Sequence, residues 1–198
     1  RNSARLVYAP HCYPYDTHEG NGYTATSKQQ LKDWERERVK DLKKHGGISL
    51  LTGEFGLSPS QIGFADYLND FNEMSDRNQW HWTYWSNDLG GWSPLNSDRS
   101  ETVILQHLIR VYPKATAGKI NTFSFDPATK KFKMNFISNA AISQPTEIFV
   151  PNRFYPAGWD LTVTGTTKYT QNFDASKQLL KFSTPGDANE ITIEIAPK

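Results

Sequence analysis

The sequence predicts an α/β region followed by an all-β region: the C-terminal part of a (β/α)8 TIM barrel, then an antiparallel β-sandwich. Three observations carry that expectation. Residues 1–113 alternate short apolar runs with amphipathic stretches three times over. Residues 114–198 hold only short runs set between turn signals. The alternating part is also too short for a whole barrel, which needs roughly 250 residues.

Taken in order, Arg5-Leu6-Val7-Tyr8-Ala9-Pro10 is an apolar run stopped by proline and reads as a strand end. Residues 28–45 place Leu31, Trp34, Val39 and Leu42 on one helical face, with Ser27 as N-cap and Gly46-Gly47 as the stop. Ile48-Ser49-Leu50-Leu51-Thr52 is a second strand ended by Gly53. Residues 60–77 carry Phe64, Tyr67, Leu68, Phe71 and Met74 at helical spacing, with Pro59 at the start. Trp80-His81-Trp82-Thr83-Tyr84-Trp85 is a third strand, and residues 98–111 a third helix closed by Pro113. Successive strand–helix units imply parallel strands with right-handed crossovers.

Beyond residue 113 the period changes. Seven short runs (122–126, 132–137, 146–150, 160–163, 168–173, 179–182 and 191–195) are separated by signals such as Asp126-Pro127, Pro156-Ala157-Gly158 and Pro185-Gly186-Asp187. Alternation as in Ile191-Thr192-Ile193-Glu194-Ile195 marks half-buried strands, and seven of them at this spacing predict a sandwich. Residues 112–118 read as the junction between domains 1–113 and 114–198.

Composition excludes several classes. Lys and Arg number 22 against 21 Asp and Glu, a net charge of +1, which leaves no basic footprint for nucleic acid or an anionic membrane. No run of about 18 apolar residues offers a transmembrane span, and Arg1-Asn2-Ser3-Ala4-Arg5 lacks the apolar core of a signal peptide. The single cysteine, Cys12, rules out an intramolecular disulfide and a cysteine-based zinc finger. Aromatics reach 13%, a level common where sugars are stacked and also met by an aromatic core.

Chemistry gathers where the predicted strands end, the edge at which barrel enzymes build their sites. His11-Cys12-Tyr13-Pro14 follows the first strand, Gly53-Glu54-Phe55-Gly56 the second, and Trp85-Ser86-Asn87-Asp88 the third. Glu54 is the sharpest candidate, because a carboxylate after an apolar run needs a partner or a task. Tyr13 can donate its phenolic hydroxyl to Glu54 and so favour the ionised form. His11 suits a sugar hydroxyl or an orienting role, and Trp85 offers a flat apolar face for a sugar ring. Of Trp80 and Trp82, at least one should face the helices. Trp92, after Gly90-Gly91, is a candidate aglycone contact, with Phe55, Leu57 and Leu89 as further apolar candidates at the mouth. Cys12 lacks an activating base, His18, His45, His81 and His107 read as structural or solvated, and no metal site or cofactor is expected.

These motifs resemble the closing three strands of a family-5 glycoside hydrolase. Tyr112-Pro113 with Ala115-Thr116-Ala117-Gly118, leading into a sandwich, resembles the endoglycoceramidases within that family, which detach an oligosaccharide from ceramide. The resemblance implies a retaining mechanism with a glycosphingolipid substrate. It implies Glu54 as the nucleophile on the seventh barrel strand, His11 and Tyr13 as the sixth-strand pair beside it, and Trp85 as the eighth-strand sugar platform. It further implies a cis peptide after Trp85 and export from a bacterial cell. The lack of any Asn-x-Ser/Thr sequon agrees with a bacterial source.

One departure from the family pattern matters. The family's acid/base glutamate follows asparagine on the fourth strand and is typically followed by proline, and no Asn-Glu-Pro occurs here. Asn72-Glu73 falls inside the second predicted helix, before Met74, and Asn189-Glu190 in the sandwich. The expectation is therefore a missing N-terminal barrel segment that supplies the acid/base residue, and a chain that is inactive alone. Alternative readings are another family-5 activity such as a glucanase or steryl-glucosidase, a non-catalytic carbohydrate- or lipid-binding module, and a small open α/β domain.

Overall fold

The computed structural model describes residues 6–88, 92–185 and 190–198. Arg5, Leu89, Gly90, Gly91 and the Gly186-Asp187 and Asn189 positions of the expected turn and sandwich motif lie outside the described residues. The chain divides into two units, one ending at Leu108 and the other beginning at Ile109.

The first unit is built on parallel strands. β1 (Val7–Tyr8) pairs with β3 (Ser49–Thr52), which pairs with β5 (His81–Trp82). One step further along the same chain segments, β2 (His11–Cys12) pairs with β4 (Glu54–Phe55). Backbone bonds extend the ladder past β5: Thr83 N–H donates to Thr52 O and Trp85 N–H to Phe55 O, both at 2.9 Å. Three adjacent parallel segments therefore run in sequence order, as consecutive strands of a (β/α)8 barrel do.

Between the strands lie α1 (Tyr15–His18), α2 (Ala25–Lys44) and α3 (Phe64–Asn78), with α4 (Leu105–Leu108) after β5. α2 starts three residues earlier than its apolar period indicates. Thr24 caps it, donating its N–H to Ser27 Oγ at 3.1 Å, so Ser27 is the third helical residue of a capping box and not the cap itself. His45 caps its C-terminus, followed by Gly46 and Gly47. α3 starts at Phe64 after Gly63, with Pro59 in a turn ahead of it.

The third expected helix, 98–111, reduces to the four residues of α4. Local side-chain bonds explain the loss. Asp98 Oδ1 accepts from Ser100 N–H and Oγ, closing a turn, and Thr102 Oγ1 donates to Ser93 O at 2.9 Å. Leu95 and Glu101 then meet across an antiparallel bridge, which holds 95–101 as a hairpin-like loop.

Helices cover one face of the parallel segments. Cys12, Phe55, Tyr67, Leu68, Phe71 and Ile104 are fully buried there, and the rings of Phe55 and Phe71 stack at 3.6 Å between centroids. Ion pairs tie α2 to α3, Lys28 to Asp70 at 2.9 Å and Glu35 to Arg77 at 2.9 Å. No helix among the described residues is long and apolar enough to cross a membrane.

The second unit is a sandwich of eight strands among the described residues, one more than its pattern shows. β6 (Tyr112–Ala115), β9 (Thr146–Phe149), β12 (Leu179–Ser183) and β11 (Thr170–Asp174) form one antiparallel sheet. β7 (Gly118–Asp126), β8 (Lys131–Ser138), β13 (Glu190–Pro197) and β10 (Trp159–Thr164) form the other. Phe132, Met134 and Phe136 of β8, and Ile191, Ile193 and Ile195 of β13, alternate inward onto Ile148, Leu180 and Phe182. The expected junction at 112–118 is instead largely strand. β6 pairs with β9 across a register break between Pro113 and Ala115, so residues 112–115 are part of the second unit. Pro113 is tolerated because β6 is the edge strand of its sheet.

Candidate active site

Strand alternation sorts the side chains before any chemistry is considered. On the helix face stand Cys12, Phe55, Trp82 and Tyr84, all packed in or against the core cluster. Trp80 joins them, its ring edge-on to Trp34. The residues between these, His11, Tyr13, Glu54, Thr83 and Trp85, take the opposite face.

His11 and Glu54 are direct partners across β2 and β4. Tyr13 donates its hydroxyl to Glu54 Oε2 at 3.3 Å, and His11 Nδ1 stands 3.3 Å from the same oxygen. Both contacts converge on one carboxylate oxygen and leave Oε1 free of them. Glu54 is about one quarter exposed and His11 about one half, so the carboxylate faces an open side. Burial first, and the charge of Glu54 second, push the Tyr13 hydroxyl well above its ordinary range, so Tyr13 stays a donor.

Gly53 sets the aim of Glu54. Tyr8 faces Leu50, and three residues later His11 faces Glu54, four residues on. On the other side, Thr83 bonds to Thr52 and Trp85, two residues on, bonds to Phe55, three on. Both neighbours count one extra residue in the central segment, and the stretches they share contain Gly53. That is a β-bulge, a device that re-aims a side chain next to a site. A Cβ on Gly53 would lie 3.2 Å from His11 Cδ2, so the glycine also lets the imidazole pass close to the backbone.

The third segment supplies the aromatic part. The Trp85–Ser86 peptide is cis, as the sequence resemblance implies, and Trp85 is 50% exposed. The Ser86 hydroxyl bonds to Asp88. Tyr84 donates its hydroxyl to Trp92 O at 2.9 Å, tying Trp92 to the third segment. A Cβ on Gly56 would meet Trp85 O at 2.5 Å and Trp92 Cε3 at 3.2 Å, so Trp85, Trp92 and the turn after Glu54 share one neighbourhood.

All five residues singled out from the sequence therefore collect at one strand edge. Two apolar candidates do not join them: Phe55 and Leu57 are buried in the helix-side core, because alternation turns them away from Glu54. Burial also pushes the Cys12 thiol up and leaves it unreactive. His107 stacks edge-on against Phe64 and pairs with Asn69, while His18, His45 and His81 are exposed. Asn72 is buried, donating to His107 O at 2.9 Å, and Glu73 pairs with Arg77 within α3. Thr83 also stands on this face, and as an isolated threonine in an aromatic run it carries no signal of its own in the sequence.

Residues 110–195 match the glycoside hydrolase family 5 C-terminal domain, and residues 1–91 match the cellulase (glycosyl hydrolase family 5) model. The chain belongs to glycoside hydrolase family 5. Within the family it is similar to endoglycoceramidase I of Rhodococcus hoagii, 28% identical over 170 residues that make up 82% of this chain and 32% of that protein. It superposes on endo-glycoceramidase II from Rhodococcus sp. in a ganglioside GM3 complex with a TM-score of 0.85 and 27% identity, covering 98% of this chain and 43% of the other. The same enzyme as a lactosyl-enzyme intermediate gives a TM-score of 0.83, again at 27% identity, covering 98% and 42%. The family-5 chain thus spans about a third of the curated relative and less than half of the solved one.

Proposed function

We propose that this chain carries the nucleophile of a retaining glycosidase that cleaves the β-glycosidic bond between the oligosaccharide and the ceramide of glycosphingolipids. The observation that carries the reading is the convergence of Tyr13 and His11 on Glu54 Oε2. With that oxygen held by two partners, Oε1 is the atom presented to substrate. It attacks the anomeric carbon as the bond to the ceramide oxygen breaks, giving a glycosyl ester of Glu54. A second carboxyl group, about 5 Å away in retaining enzymes, protonates the departing oxygen and then deprotonates the water that opens the ester.

That second group is assigned to polypeptide outside these residues. Asn72 and Glu73, the described asparagine–glutamate pair, are spent on His107 and Arg77 within the helical layer. Trp85 serves as the sugar platform, His11 as a contact for a sugar hydroxyl, and Trp92 as a contact for the aglycone. The ceramide assignment draws support from the likeness to two endoglycoceramidases, one of them solved with a ganglioside and as a lactosyl-enzyme intermediate.

In the full-length protein, Glu54→Ala should abolish release of lactose from lactosylceramide, and azide should restore turnover by attacking the anomeric carbon in place of the missing carboxylate. Retained turnover without azide would exclude the nucleophile role. Turnover of cellulosic oligomers in preference to lactosylceramide would keep the mechanism and replace the substrate. Binding without turnover by the wild type would favour a non-catalytic module.

A further inference from the structure

The bulge at Gly53 shifts the ladder and leaves one carbonyl out of it. The N–H groups of Thr83 and Trp85 go to Thr52 O and Phe55 O, so neither serves Gly53 O. The Thr83 side chain does: its Oγ1 donates to Gly53 O at 2.6 Å, the shorter of its two carbonyl contacts, the other being Thr52 O at 3.4 Å. The acceptor belongs to the peptide unit that leads directly into Glu54.

We infer that Thr83 is a positioning residue for Glu54: its hydroxyl pins the bulged peptide and thereby fixes the direction of the carboxylate. Three features support this over a role in folding. Thr83 is exposed, so it contributes little to the core. It stands on the same face as Glu54, Tyr13 and His11. Gly53 has no side chain to hold it, and its N–H, in the preceding peptide unit, is tied to the opposite neighbour at Pro10 O, 2.9 Å away. Thr83 thus braces the peptide unit that follows the Gly53 Cα, while Pro10 O holds the unit that precedes it. A misplacement of about 1 Å at such a point costs on the order of 100-fold in rate.

The inference rests on Glu54 as nucleophile and is tested on the step that Glu54 alone performs. An activated deoxyfluoro β-lactoside, whose leaving group needs no proton, is incubated with the full-length protein, and inactivation is followed with time and concentration. Thr83→Val removes the hydroxyl and keeps the shape, whereas Thr83→Ser keeps the hydroxyl. The expected result is a limiting inactivation rate lower by about 10- to 100-fold for Thr83→Val. The half-saturating concentration should stay unchanged, and Thr83→Ser should inactivate at close to the wild-type rate. An unchanged limiting rate for Thr83→Val, or a raised half-saturating concentration alone, would overturn the positioning role. So would an equal loss in Thr83→Ser. If Thr83→Val does not fold, Thr83→Ala is read against the same outcomes. A wild-type protein that is never labelled would instead refute the nucleophile reading itself, which keeps the two failures apart.

Discussion

The hydroxyl of Tyr13 reaches Glu54 Oε2 at 3.3 Å across 41 positions of sequence, on the oxygen that His11 Nδ1 also approaches. A hydrogen bond to a charged group contributes about 1.5–3 kcal/mol. Tyr13→Phe should therefore lower kcat by about 10- to 100-fold. Because burial and the nearby carboxylate hold the Tyr13 proton well above its ordinary range, the alkaline limb of the wild-type pH–rate profile should not arise from Tyr13, and Tyr13→Phe should leave that limb in place. A limb that disappears in the variant would contradict this.

Trp85 separates binding from stability. It is half exposed, and exposed side chains away from special features change stability by about 0.5 kcal/mol or less. Trp85→Ala should raise KM for lactosylceramide while the melting temperature stays near that of the wild type. A large drop in melting temperature with unchanged KM would make Trp85 a packing residue.

Gly56 is expected to be intolerant of any side chain. An added methyl group would fall 2.5 Å from Trp85 O, a backbone atom that has little room to give. Overpacking of this kind costs about 1–3 kcal/mol. Gly56→Ala should lower both stability and activity, measured by denaturant unfolding and turnover, whereas a neutral result would show that the turn after Glu54 moves freely.

The sandwich has its own pH signature. Burial pushes the Tyr155 hydroxyl from its ordinary 10.0 up to about 12, where it donates to Lys130 O at 2.7 Å. Below pH 10 both folded and unfolded chains keep the proton, so the contribution is fully present. As pH rises from 10 through about 12 the unfolded chain ionises first and the stability is lost. Unfolding curves across that window should fall more steeply for wild type than for Tyr155→Phe, and parallel curves would rule out the tyrosine as the cause.

Much of the site was legible because its residue types are costly or rare where they stand. Glu54 after four apolar or small residues, Tyr13 two positions beyond His11, and Trp85 at a strand end each announce themselves by chemistry and by a period of two. The pairing register was not legible. Gly53 is visible in the sequence, but the bulge exists only in its offset from Tyr8 and His11 on one side and from Thr83 and Trp85 on the other. Thr83 acquires its partner from that offset. The edge strand Tyr112–Ala115 was hidden by Pro113, which reads as a stop although an edge position tolerates it. The helix expected over 98–111 failed because the side chains of Asp98 and Thr102 bond to local backbone more readily than they continue a helix.

The central claim is that Glu54 forms the bond to sugar. Full-length protein inactivated by an activated deoxyfluoro β-lactoside, digested and sequenced by mass spectrometry should carry the lactosyl group on Glu54 in the peptide containing Gly53-Glu54-Phe55-Gly56. The same mass on another carboxylate, or inactivation with Glu54 unmodified, would contradict the account.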